Sequence, residues 1–175
     1  MENINKSVVF VGMMGCGKSS IGKMVAFKLG IPFADLDNYI ERKEGMNISE
    51  LFATKGEAYF RQQELICIKE LLASGIKVIA LGGGAYINKE IRELLKENAI
   101  TIWIRASLDI ILERVSRKNT RPLLENVDKK QVIAKLMDER YPVYAEADIS
   151  VDTNDGVHEV LVEKIYYLLR DKFRV

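Results

Sequence analysis

The sequence has little histidine and little cysteine, and their scarcity excludes several kinds of functional site. Its 175 residues include one histidine, His158, and two cysteines, Cys16 and Cys67. A lone histidine in a helix is usually a solvated surface residue, and that interpretation excludes histidine-based triads and metal sites with several histidines. The two cysteines have neither metal-type spacing nor the partners of a disulfide framework. A reducing, cytoplasmic environment is therefore expected.

An excess of charge and long apolar runs are also missing. Lysine and arginine number 26 against 25 aspartate and glutamate residues, so no bulk charge attracts the protein to nucleic acid or to an anionic membrane. No apolar run approaches the ~20 residues that span a bilayer, and the polar N-terminus lacks the apolar core of a signal peptide. Length and composition predict one globular domain over residues 1–175. No coiled-coil or interface pattern stands out, so a monomer is expected.

The dominant motif of the sequence is a phosphate-binding loop near its N-terminus. An apolar run from Val8 to Val11 predicts a buried strand, and a helical pattern continues from Lys18 to Gly30. Between them, residues 12–19 match G-x-x-x-x-G-K-[ST] without a mismatch. Glycines let backbone N–H groups surround phosphate oxygens, Lys18 can reach the β- and γ-phosphates, and the Ser19 hydroxyl can bind Mg²⁺. The motif therefore predicts a nucleoside-triphosphate site.

Strands and helices alternate along the rest of the chain. The patterns predict strands at 8–11, 31–37, 77–81, 99–105 and 149–152. The helices predicted between them include 38–44, 56–73, 88–97, 107–116 and 128–145, and residues 47–50 are typical of a helix start. This alternation is typical of a parallel sheet with helices on both faces. In the last helix, one packing face is expected from Val157, Val160, Leu161, Ile165, Leu168 and Leu169.

Two carboxylates end the second predicted strand. Asp35 and Asp37 are two residues apart, so on an extended segment they point the same way, toward the crevice where parallel sheets bind ligands. One could hold Mg²⁺ through water and the other a substrate hydroxyl. The alternative interpretation makes Asp37 only the N-cap of the next helix.

Two arginines and a glycine triplet supply further candidates. Arg61 lies one turn into a helix, where it could meet an anion, although a lone arginine near a helix start is more often a solvated surface residue. Residues 82–84 are three consecutive glycines after a strand, which leave the backbone open to a ligand. Arg140 is a second isolated guanidinium that could bind a carboxylate in bidentate fashion.

Cations concentrate in one predicted loop. Four occur within residues 114–121: Arg114, Arg117, Lys118 and Arg121. They form either a solvated face or a mobile lid that neutralises a transferring phosphoryl group. A separate hypothesis concerns Cys16, which lies inside the phosphate loop: its thiol would be alkylated readily, and ATP or ADP would protect it.

Taken together, these motifs resemble those of shikimate kinases. The matching pieces, over about residues 8–156, are Gly12-x4-Gly17-Lys18-Ser19, Phe33-x-Asp35-x-Asp37, Gly56-Glu57-x2-Phe60-Arg61, Gly82-Gly83-Gly84, Arg121-Pro122-Leu123-Leu124, Arg140-x3-Tyr144 and Val151-Asp152-Thr153. The resemblance implies a P-loop α/β fold of three layers, α/β/α, with a five-stranded parallel sheet. It also implies a lid at about 114–126 and a substrate-binding region at about 35–62.

The resemblance further implies the reaction, in which the γ-phosphoryl of ATP passes to the 3-hydroxyl of shikimate on the route to chorismate and the aromatic amino acids. The nucleotide would be held by Gly15, Cys16, Gly17, Lys18, Ser19, Ser20, Arg114 and the lid residue Arg121. Ser19 would bind Mg²⁺, and Asp35 would support it through water. Shikimate would be bound by Asp37, Arg61, Gly83 and Arg140, and the catalytic residues would be Asp37, Lys18 and Arg121.

Three other readings of the motifs remain open at this point. A gluconate-type metabolite kinase would share the phosphate loop and the lid. A GTPase-type switch would carry Asn-Lys-x-Asp for guanine, and neither Asn-Lys pair in this sequence has the aspartate. A nucleotide-binding module without catalysis would bind ATP and release no ADP with any acceptor.

Overall fold

A parallel sheet forms the centre of the protein. The computed structural model describes residues 5–116, 128–153 and 158–173. Its strands are β1 (Ser7–Val11), β2 (Phe33–Asp35), β3 (Val78–Ala80), β4 (Ala99–Arg105) and β5 (Ile149–Asp152). They pair in the order β2-β3-β1-β4-β5, and every pairing is parallel. The predicted five-stranded parallel sheet is confirmed.

Helices cover both faces of this sheet. They are α1 (Lys18–Leu29), α2 (Leu36–Glu44), α3 (Ile48–Ala73), α4 (Lys89–Asn98), α5 (Leu108–Ser116), α6 (Lys129–Tyr144) and α7 (His158–Phe173), with a short 3-10 helix at Ala85–Ile87. Within the part of the chain that the structure describes, none of these helices is long and apolar enough to cross a bilayer.

The central strands are buried on both sides, as their sequences require. All residues of β1 and β3 are inaccessible or nearly so, which is typical of β-branched strands in a parallel sheet covered by helices. Because these residues are buried, the strands pair in a defined register. In that register the carboxyl ends of β1, β3 and β4 meet at one edge of the sheet. The loops that follow these strands therefore converge on one place.

A break inside α3 determines where its second half begins. Asn47 and Glu50 form the capping box that starts the helix, as the sequence predicts. Gly56 then adopts φ 83° and ψ 169°, a conformation that few other residues tolerate. The helical segment after Gly56 carries Arg61 on its second turn, so the predicted start of a helix near residue 56 is confirmed.

Two details of the sequence-based prediction are wrong. The second strand ends at Asp35, and Asp37 lies in the first turn of α2 rather than on an extended segment. Asp35, not Asp37, is the N-cap, and its side chain accepts a hydrogen bond from the N–H of Asn38. On α7, the predicted packing face is confirmed for Leu161, Ile165, Leu168 and Leu169 but not for Val160, which is 72% exposed while Val162 is buried; Val157 lies outside the described residues.

Candidate active site

The carboxyl edge of the sheet carries a cavity of about 320 Å³. Its walls come from the loop after β1, the start of α1, the β2–α2 junction, the glycine loop after β3, and α5. Its lining residues are Gly15, Gly17, Lys18, Ser19, Ser20, Asp35, Asp37, Leu81, Gly82, Gly83, Arg114, Val115 and His158. Most candidates that were distant in sequence therefore line a single cavity.

The loop between β1 and α1 holds its lysine in a defined position. The Lys18 amine donates to the carbonyl oxygens of Gly12 and Met13, both at 2.8 Å, and the side chain is only 8% exposed. Position 12 requires glycine, because its φ is +142° and a Cβ there would lie 2.6 Å from the carbonyl oxygen of Ile104. The Lys18 ammonium group is buried at the N-terminus of α1, where anionic phosphate is favoured.

Two oxygen ligands suited to a hard cation lie together beside this loop. The Ser19 hydroxyl donates to Asp35 Oδ2 at 2.5 Å. A hydroxyl and a carboxylate at a phosphate site fit Mg²⁺, which is usually held by one or two protein oxygens together with waters and substrate phosphates. Among the described residues no group of three or more histidine, cysteine, aspartate or glutamate side chains is arranged to hold a metal ion.

Two carboxyl groups, those of Asp37 and Glu64, adjoin the glycine loop. A Cβ on Gly82 would lie 2.7 Å from Asp37 Oδ1 and 3.2 Å from Glu64 Oε1, so the two carboxyl groups flank one glycine. Glu64 is 1% exposed. The pKa of its carboxyl is raised to about 7, chiefly by burial; Asp37 also raises this pKa, whereas Arg61 and Arg140 lower it. Asp37 thus faces the cavity beside a carboxyl group that holds a proton readily.

Arg61 is oriented by carboxylates on its own helix. Its guanidinium donates to Glu64 at 2.8 Å and to Glu57 at 3.0 Å. It packs flat on Gly84, where a Cβ would come within 2.4 Å of Arg61 Nη1. The glycine is needed because any side chain at position 84 would displace the arginine.

Arg140 reaches the glycine loop from α6. It is 9% exposed, and a Cβ on Gly83 would lie 3.3 Å from its Nη1. The two guanidinium groups therefore pack against consecutive glycines, Arg140 on Gly83 and Arg61 on Gly84. Neither arginine is among the residues that line the cavity; both approach it from behind the glycine loop, whose Gly82 and Gly83 form part of the lining.

The remaining nucleotide candidates lie on the other side of the phosphate loop. Arg114 donates to the carbonyl oxygens of Gly15 and Cys16 at 3.4 and 3.3 Å. Cys16 is 0% exposed, so the hypothesis of ready alkylation is wrong: a buried thiol is inaccessible to the reagent. Arg121, with most of the predicted lid at 114–126, lies outside the described residues.

Comparison with known proteins agrees with this geometry. The family model described as shikimate kinase matches residues 14–170. The shikimate kinase of Rhizobium meliloti (strain 1021) is 47% identical over 95% of this chain and 86% of its own length. The chain belongs to the shikimate kinase family. The predictions of this family and of an ATP-dependent kinase are thereby confirmed.

Solved structures extend the comparison to the fold. A shikimate kinase from Acinetobacter baumannii in complex with shikimate matches with a TM-score of 0.92 and 35% identity, over 98% of this chain and 97% of that one. A gluconokinase from Sinorhizobium meliloti 1021 matches with a TM-score of 0.58 and 18% identity, over 93% and 97%. At that identity the second match shows only a shared fold. The shikimate kinase family therefore accounts for this chain, and the gluconate-type reading does not.

Two residues at this site, Glu64 and His158, were not identified as site residues from the sequence. Glu64 contacts Arg61, and only the i, i+3 spacing of these two residues could have indicated it. Gly84 belongs to the predicted glycine triplet, but its contact with Arg61 was not predicted. His158, predicted to be a solvated surface residue, is half-buried and lines the cavity. Its position depends on where α7 begins after β5, which no local pattern indicates.

The buried carboxyl of Glu64 should make stability depend on pH. Its folded pKa of about 7 lies above the ordinary value of 4.5, so the folded state binds this proton more tightly than the unfolded state. The associated stabilisation is complete below about pH 4.5 and is lost as pH rises through about 7. Relative to Glu64→Gln, the unfolding free energy of the wild type should fall by about 2 kcal/mol between pH 5 and pH 8.

Urea unfolding at both pH values measures this difference. Glu57→Gln is the matched control, because Glu57 also pairs with Arg61 but is 60% exposed. Glu57→Gln should leave the dependence of the unfolding free energy on pH the same as in the wild type. Equal slopes for the wild type and Glu64→Gln would show that Glu64 is ionised throughout this range.

Proposed function

We propose that the protein transfers the γ-phosphoryl group of ATP to the 3-hydroxyl of shikimate, giving ADP and 3-phosphoshikimate for chorismate and aromatic amino-acid synthesis. The observation that carries this proposal is the pair Arg61 and Arg140 packed on consecutive glycines beside Asp37. Two guanidinium groups can fix a carboxylate in one orientation. Asp37, which lines the cavity together with the phosphate loop, would then receive a ring hydroxyl of the same molecule.

Each side chain has a defined task in this proposal. Arg61 and Arg140 bind the carboxylate of the acceptor, with backbone contact from Gly83. Asp37 accepts a hydrogen bond from the attacking hydroxyl and takes its proton as the new O–P bond forms. Phosphoryl transfer has a loose transition state, so a modest base is enough and positioning dominates.

The nucleotide half of the site neutralises charge. The phosphates would lie in the loop of residues 15–20, and the Lys18 amine would exchange its two carbonyl partners for β- and γ-phosphate oxygens. Ser19 and Asp35 would hold Mg²⁺, which supplies neutralisation of the phosphate oxygens when bound. Arg114 would adjoin the nucleotide, and Arg121 would approach from the lid at about 114–126. We also propose that the protein works as a cytoplasmic monomer.

Acceptor-dependent ADP release with Mg·ATP tests this function. Turnover is expected with shikimate and not with gluconate, nucleoside monophosphates or water alone. The methyl ester of shikimate retains the ring hydroxyls and lacks the carboxylate charge, so it should be a poor acceptor for the wild type. In Arg61→Ala the preference for shikimate over its ester should shrink, while exposed Arg42→Ala should preserve it. Turnover with another acceptor and none with shikimate would overturn the proposal.

A further inference from the structure

The hydroxyl group of Tyr144 lies between the glycine loop, on the acceptor side of the site, and the phosphate loop, on the nucleotide side. This tyrosine is the last residue of α6, one turn beyond Arg140, and it is 0% exposed. Its hydroxyl donates to the carbonyl oxygen of Gly83 and lies 3.9 Å from Met13 Sδ in the phosphate loop. The Arg140 guanidinium also lies beside the hydroxyl, and burial raises the pKa of Tyr144 well above its usual range.

The residue that Tyr144 holds is itself a point of contact between the two substrate regions. A Cβ on Gly83 would lie 3.3 Å from Arg140 Nη1, 3.4 Å from the Met14 nitrogen and 3.6 Å from the Gly12 carbonyl oxygen. Gly83 is therefore enclosed between the acceptor arginine and the backbone of the phosphate loop. A rotation of its peptide would therefore change the contacts that Gly83 makes with both groups.

Glycine peptides rotate easily, so the loop needs an external restraint. Residues 82–84 are all glycine, and without a Cβ each can reach conformations that other residues cannot. Gly83 is half-buried, and its carbonyl accepts a hydrogen bond from the fully buried Tyr144, so removing the donor leaves a partly buried acceptor without this bond. The Tyr144 hydroxyl supplies that bond from a helix, which is more rigid than the loop it holds.

We propose that Tyr144 is a positioning residue that fixes Gly83, and through it the acceptor arginine Arg140, relative to the phosphate loop. This inference rests on the proposed function, since the groups being aligned are the acceptor and the nucleotide. In-line transfer is sensitive to displacements of about 1 Å between reacting groups. The hydroxyl of Tyr144 therefore contributes to turnover without touching either substrate.

The chain contains a matched control for this role on the same helix. Tyr141 also donates its hydroxyl to a backbone carbonyl, that of Ala106 at 2.5 Å, and it also packs against Trp103. Its bond holds the end of β4 and not the glycine loop. Tyr141→Phe and Tyr144→Phe thus remove the same atom from the same kind of bond at two different places.

The experiment compares the two variants in stability and in steady-state kinetics. Both should show a similar small decrease in the urea midpoint. Tyr144→Phe should lower kcat/KM for shikimate by about tenfold or more, whereas Tyr141→Phe should stay within about threefold of the wild type. ADP affinity of the Tyr144→Phe variant, measured by calorimetry, should stay close to that of the wild type. Equal kinetics of the two variants would overturn the inference while leaving the proposed function intact.

A second variant keeps the inference falsifiable should Tyr144→Phe fail to fold. Gly83→Ala leaves the hydroxyl in place and sets a methyl group 3.3 Å from Arg140 Nη1. It should lower kcat/KM for shikimate more than it weakens ADP binding, and wild-type kinetics in this variant would overturn the inference. A wild-type enzyme that fails to phosphorylate shikimate would overturn the proposed function and this inference together.

Discussion

Replacing Asp37 by asparagine is expected to lower kcat with shikimate by a factor of about 10²–10⁴, the usual contribution of a positioned general base. Asparagine keeps the size of the side chain and loses its ability to accept a proton. It also removes a negative charge next to the buried Glu64, whose carboxyl pKa Asp37 helps to raise. Stability should therefore be unchanged or slightly higher, and the loss of turnover should not come from unfolding.

Initial rates at saturating Mg·ATP and shikimate, together with a thermal melt, test this prediction. Asp138→Asn is the control, because Asp138 is an exposed aspartate on α6. Its replacement should change neither kcat nor the melting temperature. A variant Asp37→Asn that retains more than about a tenth of wild-type kcat would exclude Asp37 as the base. The residue would then serve only to orient the hydroxyl.

Replacing Lys18 by methionine is expected to lower kcat by a factor of about 10²–10³, typical for removing one charge-stabilising donor from a transition state. Methionine keeps the unbranched apolar stem and removes the ammonium group. Because Lys18 also donates to the Gly12 and Met13 carbonyls, its loss should cost about 1–3 kcal/mol of unfolding free energy. Activity is therefore best measured at a temperature well below the melting point of the variant.

The control for this substitution lies on the same helix. Lys23 is exposed on the outer side of α1, and Lys23→Met should keep wild-type kcat and stability. Calorimetric titration with ADP separates nucleotide binding from chemistry in both variants. Wild-type ADP affinity and kcat in Lys18→Met would show that the amine serves only to hold the loop.

The phosphate loop and the sheet were predictable because each depends on residues that are adjacent in sequence. Residues 12–19 carry the whole motif, and β1 and β4 consist mainly of apolar residues, with Ser7 in β1 and Thr101 and Arg105 in β4. The start of α3 followed from Asn47 and Glu50 alone. In such segments the local preference and the tertiary environment favour the same conformation.

The sequence-based predictions were wrong where two local conformations compete, or where a residue's contact partner is distant in the sequence. Asp35 and Asp37 can each cap a helix, and a strand of only three residues leaves the choice to its pairing with β3. Val160 and Val162 are both apolar, and the contacts of α7 with α1 decide which one is buried. The contact of Gly84 with Arg61 joins two residues that are 23 positions apart in the sequence, one in a loop and one in a helix.

The placement of Trp103 has a practical consequence. It is the only tryptophan in the chain, is 5% exposed, and packs at 3.5 Å from the Cβ position of Gly12 on one side and against Tyr141 on the other. The long-wavelength fluorescence of the whole protein therefore originates from one indole between the phosphate loop and the helix of Arg140. Site occupancy can be followed optically in the unlabelled protein, without an attached dye.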